Sequence, residues 1–145
     1  MSGIMGGAGS KSGVIGQTEI EYEEGEWTPS SSINLIPSSG ANYTRIGNRV
    51  TVSAYLTTTQ STTSGDFVVG GLPFTNTGAS QAAGSIYLRA LAGNIDGDGH
   101  FVIVIAAGTS FYVRRGGNTD SGNNVHNYMD NGSNFWMSLT YEIGA

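Results

Sequence analysis

The sequence predicts an all-β domain: an antiparallel β-sandwich of jelly-roll type, residues 19–145, preceded by an extended glycine-rich N-terminal arm, residues 1–18. Three observations carry this. Residues 49–58 alternate cleanly, with Val50, Val52, Ala54 and Leu56 on one side and Thr51, Ser53, Tyr55 and Thr57 on the other, and residues 135–143 do the same. The 145 residues include 23 glycines, and Ser, Thr and Asn fill the stretches between apolar runs, as short strands and turns require. No segment keeps a helical period for more than a turn or two, and about eight strands in a chain of this length imply a sandwich.

Taken in order, residues 1–18 scatter Gly3, Gly6, Gly7, Gly9, Gly13 and Gly16 among small residues and two apolar pairs, Ile4-Met5 and Val14-Ile15. Glycine has the highest ordering cost, so this piece does not fold alone. A disordered tail is the plain reading. An arm that gains order along a partner, anchored by Ile4, Met5, Val14 and Ile15, accounts better for the apolar pairs. Glu19, Glu21 and Glu23 then alternate with Ile20 and Tyr22, as in a short edge strand whose charges deter unwanted pairing. Alternating glutamates in a line do not close a calcium cage. Trp27-Thr28-Pro29 ends the block and pins the domain's start by burying the indole.

Further strands follow. Ile33 to Ile36 is short and stopped by Pro37. Asn42 to Ile46 leads through a Gly47-Asn48 turn into Arg49 to Thr58. Gln60 to Ser64 is a polar loop, and Gly65-Asp66 precedes Phe67 to Gly70. Gly71-Leu72-Pro73-Phe74 is an apolar turn, because Pro73 lacks a ladder donor. Gln81 to Leu91 directs Ile86, Leu88 and Ala90 one way and Tyr87 and Arg89 the other. Gly93 to Gly99 is a turn. Phe101 to Ala106 is apolar on both faces, hence central or covered, and pairs with Thr109 to Arg115 across Ala107-Gly108. Gly116 to Gly132 is a long polar loop. In the last strand Phe135, Met137, Leu139, Tyr141 and Ile143 alternate with Trp136, Ser138, Thr140 and Glu142.

Charge narrows the function. The formal net charge is −5, but Glu19, Glu21, Glu23, Glu24 and Glu26 carry most of it. From Trp27 onward five arginines (Arg45, Arg49, Arg89, Arg114, Arg115) nearly balance six acids (Asp66, Asp96, Asp98, Asp120, Asp130, Glu142). No basic patch is available to neutralise a run of phosphates, so nucleic acid is not the expected partner. No apolar run approaches the roughly 20 residues of a membrane helix, and no membrane partner is expected. With no cysteine there are no disulfides, thiolate metal sites or thiol nucleophiles, which suits assembly in a reducing cytoplasm.

Residues that could carry reactive chemistry have cheaper structural explanations. Asp96-Gly97-Asp98-Gly99-His100 places His100, Phe101 and Ala107 where an EF-hand needs an oxygen ligand, Gly and an acid; a tight turn explains it. His100 and His126 have no Gly-x-Ser-x-Gly beside them to make a nucleophilic triad. No Gly-Lys-Ser/Thr marks a phosphate loop. The expectation is therefore no catalytic residue, no cofactor and no metal. Asn, Ser and Gly in residues 118–134, with Tyr128, Phe135 and Trp136 nearby, read as a solvated loop beside core aromatics or, less simply, as a glycan site. Tyr87, Arg89, Tyr112, Arg114 and Trp136 share the face opposite the core. Arg and aromatics on an otherwise uncharged sheet mark either a subunit interface or a second layer of the sandwich.

Three motifs add a resemblance: Glu26-Trp27-Thr28-Pro29, then Asn42-Tyr43-Thr44-Arg45-Ile46-Gly47-Asn48-Arg49-Val50-Thr51-Val52, then Gly70-Gly71-Leu72-Pro73-Phe74. In this order they resemble small β-sandwich virion proteins of tailed bacteriophages: head-decoration or head-fibre proteins and tail-fibre modules. The arm Gly7 to Gly16 is similar to N-terminal pieces of such proteins. The resemblance covers residues 7–74 and implies a particle protein, trimeric and non-enzymatic, located in the virion. Fibre modules follow a long shaft, whereas this sequence opens on Met1 and a short arm. The expectation is a capsid decoration or cement protein whose arm grips the major capsid protein or another virion protein. A tail-fibre or receptor-binding adhesin tip, and a lectin-like glycan-binding module, are the alternatives.

Overall fold

The computed structural model describes residues 21–31, 35–59, 67–77, 82–91, 100–105, 108–116 and 125–144. The arm, with Ile4, Met5, Val14 and Ile15, lies outside them, as do residues 60–66, 92–99 and 117–124, where the sequence leads one to expect loops and turns. The described chain is all-β. Its strands are β1 (Tyr22–Glu26), β2 (Leu35–Ile46), β3 (Arg49–Thr58), β4 (Phe67–Gly70), β5 (Ala82–Arg89), β6 (His100–Ile105), β7 (Ser110–Gly116) and β8 (Asn134–Glu142). They form one antiparallel sheet in the order β1-β2-β3-β8-β5-β6-β7-β4. Two layers thus arise by curling one sheet on its own core rather than by stacking two sheets as a jelly roll does.

The alternating strands sit at the centre. β3 pairs β8 from Arg49↔Glu142 to Thr57↔Asn134, and β8 pairs β5 on its other side. Val50, Val52, Leu56, Phe135, Leu139 and Tyr141 all point inward and are buried, with Val69, Ile103, Ile105 and Phe111 closing over them from the far side of the curl. β2 and β3 form a hairpin on Gly47-Asn48, and the positive φ of 60° at Gly47 is the type II′ arrangement that glycine provides at the first turn position. β6, apolar on both faces, lies between β5 and β7 and makes the expected hairpin with β7.

Two glycines let the sheet curl. β5 pairs β6 over Ala82–Ser85 and β8 over Ser85–Arg89, so it changes neighbour in mid-strand. At that bend Gly84 lies so close to β8 that a Cβ would stand 2.4 Å from the Ser138 carbonyl oxygen. At the far flank the curl closes: Ser30, just past β1, pairs with Gly70 at the end of β4, N to O in both directions at 3.0 and 2.7 Å. Beside it Gly71, at a φ of +86°, would put a Cβ 2.0 Å from the Thr28 carbonyl oxygen.

Three local expectations need correction. Pro37 does not stop a strand, because β2 runs through it from Leu35 to Ile46 with a register shift between Pro37 and Ala41. β1 reaches only Asn42 along β2, so Pro37 sits on an edge where its missing donor costs nothing. Ala90 does not extend β5; its φ of 57° turns the chain out of the sheet. The long polar loop contains a 3₁₀ turn, Val125–Tyr128, and buries Val125 and Met129 fully in the core.

Candidate interaction face

The inner face is core, so any chemistry offered to a partner lies on the outer, convex face. Register places Tyr55 of β3, Trp136 of β8 and Tyr87 of β5 in one cross-strand row. Tyr55 and Trp136 stack in parallel, centroids 4.2 Å apart and planes within 3°, and Tyr87 leans on Trp136 at 5.6 Å. Trp136 keeps 37% of its surface exposed and Tyr87 63%. The next row is polar. Asn134 accepts hydrogen bonds from the Thr57 and Tyr55 hydroxyls at 2.7 and 3.2 Å and donates to the Gly132 carbonyl at 2.8 Å. Arg89 stands opposite Asn134, exposed.

Tyr112 and Arg114 occupy the same face two strands further on, opposite Val104 and Val102 of β6. The Arg114 guanidinium lies 4.7 Å from the centre of the Tyr112 ring. The five residues expected at an interface thus share one face but form two groups. Tyr87, Arg89 and Trp136 make one with Tyr55; Tyr112 and Arg114 make the other, half-buried. Tyr55 and Asn134 were missed as members, although the alternation of residues 49–58 already put Tyr55 on this face.

Toward β1 the face is lined by short polar side chains. Thr44, Thr51 and Thr140 share one row, with the Thr51 and Thr140 hydroxyls 2.9 Å apart; Asn42, Ser53, Ser138 and Ser85 share the next. The rows end at Glu24, opposite Thr44, and Glu26, opposite Asn42. Glu24, Gly25, Glu26, Asn42, Tyr43 and Thr44 line a shallow recess there. Glu24 accepts a hydrogen bond from the Tyr22 hydroxyl at 2.7 Å, which raises the Tyr22 pKa.

The seam of the curl gathers all three sequence motifs. Trp27 is buried and directs its indole N–H to the Ser53 carbonyl at 3.4 Å. Arg45 pairs with Glu21 and, at 3.8 Å, with Glu23, while its guanidinium lies 5.3 Å from the centre of the Phe74 ring. Tyr43 meets Phe74 edge-on and donates its hydroxyl to Glu23 at 2.6 Å; that hydrogen bond, then burial and the carboxylate charge, raise its pKa. The buried Tyr141 hydroxyl donates to the Phe74 carbonyl at 3.0 Å and accepts its N–H at 3.3 Å. Burial pushes Tyr141 up to about 12 against the opposing effect of that backbone bond. These contacts join separate elements of the sheet across the seam.

The aromatics of the 118–134 region are separated. Trp136 faces outward, whereas Tyr128 is half-buried against Phe101 and Arg115: Arg115 donates to its hydroxyl at 2.8 Å and Phe101 packs edge-on to its ring at 6.4 Å. His100 stands exposed at the start of β6. Among the described residues no three of His, Cys, Asp and Glu converge as a metal site would need.

No protein-family model matches the sequence, and no curated protein is similar to it. Among solved structures the fold is shared with the Dettilon tailspike protein (gp208), at a TM-score of 0.69 and 20% sequence identity over 85% of this chain. The match takes in 24% of the tailspike, so this chain spans about a quarter of that protein's length.

Proposed function

We propose that the protein is a structural component of a tailed-phage virion, a non-enzymatic β module of the tail-spike or tail-fibre apparatus that assembles with copies of itself. The observation that supports this most is the fold shared with a tailspike protein over 85% of the chain. The motifs read from the sequence point to the same class by resemblance, and in this chain they form the seam of the sheet. In this reading the outer face carries the adhesive surface and the sheet supplies rigidity. Capsid decoration is the second reading, favoured by the glycine-rich arm with its apolar pairs, which suits docking on another virion protein. Mass spectrometry of separated heads and tails, with gold-labelled antibody on intact particles, tests both. Label on the tail is the expected result, label on the head supports decoration, and absence from the particle overturns the virion assignment.

A further inference from the structure

Charge and shape divide the outer face into two unlike patches. On the β1 flank Glu24 and Glu26 rim the recess with Asn42 and Thr44. Among the described residues neither glutamate has a cationic partner; the ion pairs run instead from Arg45 to Glu21 and Glu23 and from Arg49 to Glu142. On the β5 flank Tyr87 protrudes from the stacked aromatic row, with Arg89 two residues further along the same side of the strand. Arg89 likewise has no anionic partner among the described residues. One patch is concave and acidic, the other convex, aromatic and cationic.

β1 and β5 are four strand spacings apart in the sheet, about 19 Å along its surface. Because the sheet curls, the two patches point in different directions. A single copy can therefore use both at once, which is the geometry of a head-to-tail contact; when the rotation between copies closes, such contacts make rings.

We propose that the occupant of each patch is a second copy of this chain: Tyr87 and Arg89 of one copy enter the recess of the next, where Arg89 pairs with Glu24 and Glu26. The inference rests on the self-assembling module put forward above and names its contact. Arginine beside a rigid aromatic is the composition of an interface anchor, and a guanidinium can engage carboxylates through two parallel hydrogen bonds. The outward Ser and Thr rows between the patches carry no side chain long enough to block the approach.

The test uses charge reversal on the full chain, with oligomer mass read by native mass spectrometry and sedimentation, and circular dichroism as the check on folding. Arg89→Glu, and separately Glu24→Lys with Glu26→Lys, should each weaken assembly at least roughly a hundredfold, since like charges then face one another. The triple variant should reassemble. Mixing the two one-sided variants should give alternating oligomers with even numbers of copies, because each supplies the charge the other lost. If both variants assemble like the wild type, or if the wild type is monomeric at every concentration, the contact is wrong. Neither result touches the virion assignment, which the particle labelling decides.

Discussion

Gly84 and Gly71 show how a single hydrogen atom in place of a methyl group can set the curvature of a sheet. At Gly84 the conformation is ordinary and only space is short, because the Ser138 carbonyl fills the place of a Cβ. At Gly71 both space and φ forbid a side chain. At Gly47 only φ does, with nothing within 4 Å. Alanine should therefore cost most at Gly71, about 3–5 kcal/mol, then about 2–4 kcal/mol at Gly84 and about 1 kcal/mol at Gly47, measured by urea unfolding. Equal costs at the three positions would contradict the close approaches. Tyr141 gives a second residue-scale expectation. Its neutral form is favoured in the fold, with a pKa of about 12 against 10 unfolded. This contribution is complete below pH 10 and disappears as pH rises through about 12. Wild-type stability should fall across that window. Tyr141→Phe should lose about 1–3 kcal/mol at neutral pH, because Phe74 loses both partners, and should show a shallower alkaline fall.

At the scale of elements, β1 and the turn before β8 are held by different means. β1 is mostly exposed and held by its ladder to β2, by Arg45, Glu21 and Glu23, and by the Tyr43 ring against Gly25. Exposed ion pairs contribute little, so Glu21→Gln should change stability by no more than about 0.5 kcal/mol and less still in high salt. Arg45→Ala should cost more, because it also strips the contact with Phe74 that ties β2 to the seam. Equal effects would show that the charge pairs alone matter. The 129–133 turn instead rests on a buried polar knot. The Ser133 hydroxyl donates to the Ala90 carbonyl at 2.9 Å and accepts the Asp130 N–H at 2.8 Å, and the Thr58 hydroxyl donates to the Asp130 and Ser133 carbonyls. Ser133→Ala should destabilise by about 1–3 kcal/mol, with amide exchange rising first around Asp130 and Ala90.

For the whole molecule, the described sheet begins at Tyr22 and closes on itself through Ser30 and Gly70. Removing residues 1–18 should leave the urea midpoint unchanged. A fall would make the arm part of the fold, whereas loss of particle binding alone would assign it to docking. Trp136→Ala and Arg89→Glu act on one exposed patch of the outer face and should spare the fold while altering assembly.

The sequence by itself determined that the chain is all-β and, for β3 and β8, which side of the strand is apolar. Alternation has a period of two residues, so the parity of β3 and β8 is written locally and appears unchanged in the buried positions of both. It also showed the turn at Gly47-Asn48, the burial of Trp27, and the company of Tyr87, Arg89 and Trp136 on one outer face. Only the tertiary structure decided that one sheet curls where two were expected, that Pro37 rides through a strand, and that Val125 and Met129 belong to the core. It alone placed Tyr55 on Trp136, separated Trp136 from Tyr128, and brought Thr28 against Gly71. Each of these depends on which distant strand becomes a neighbour. That choice is made by packing across dozens of residues, and no local period in the chain records it.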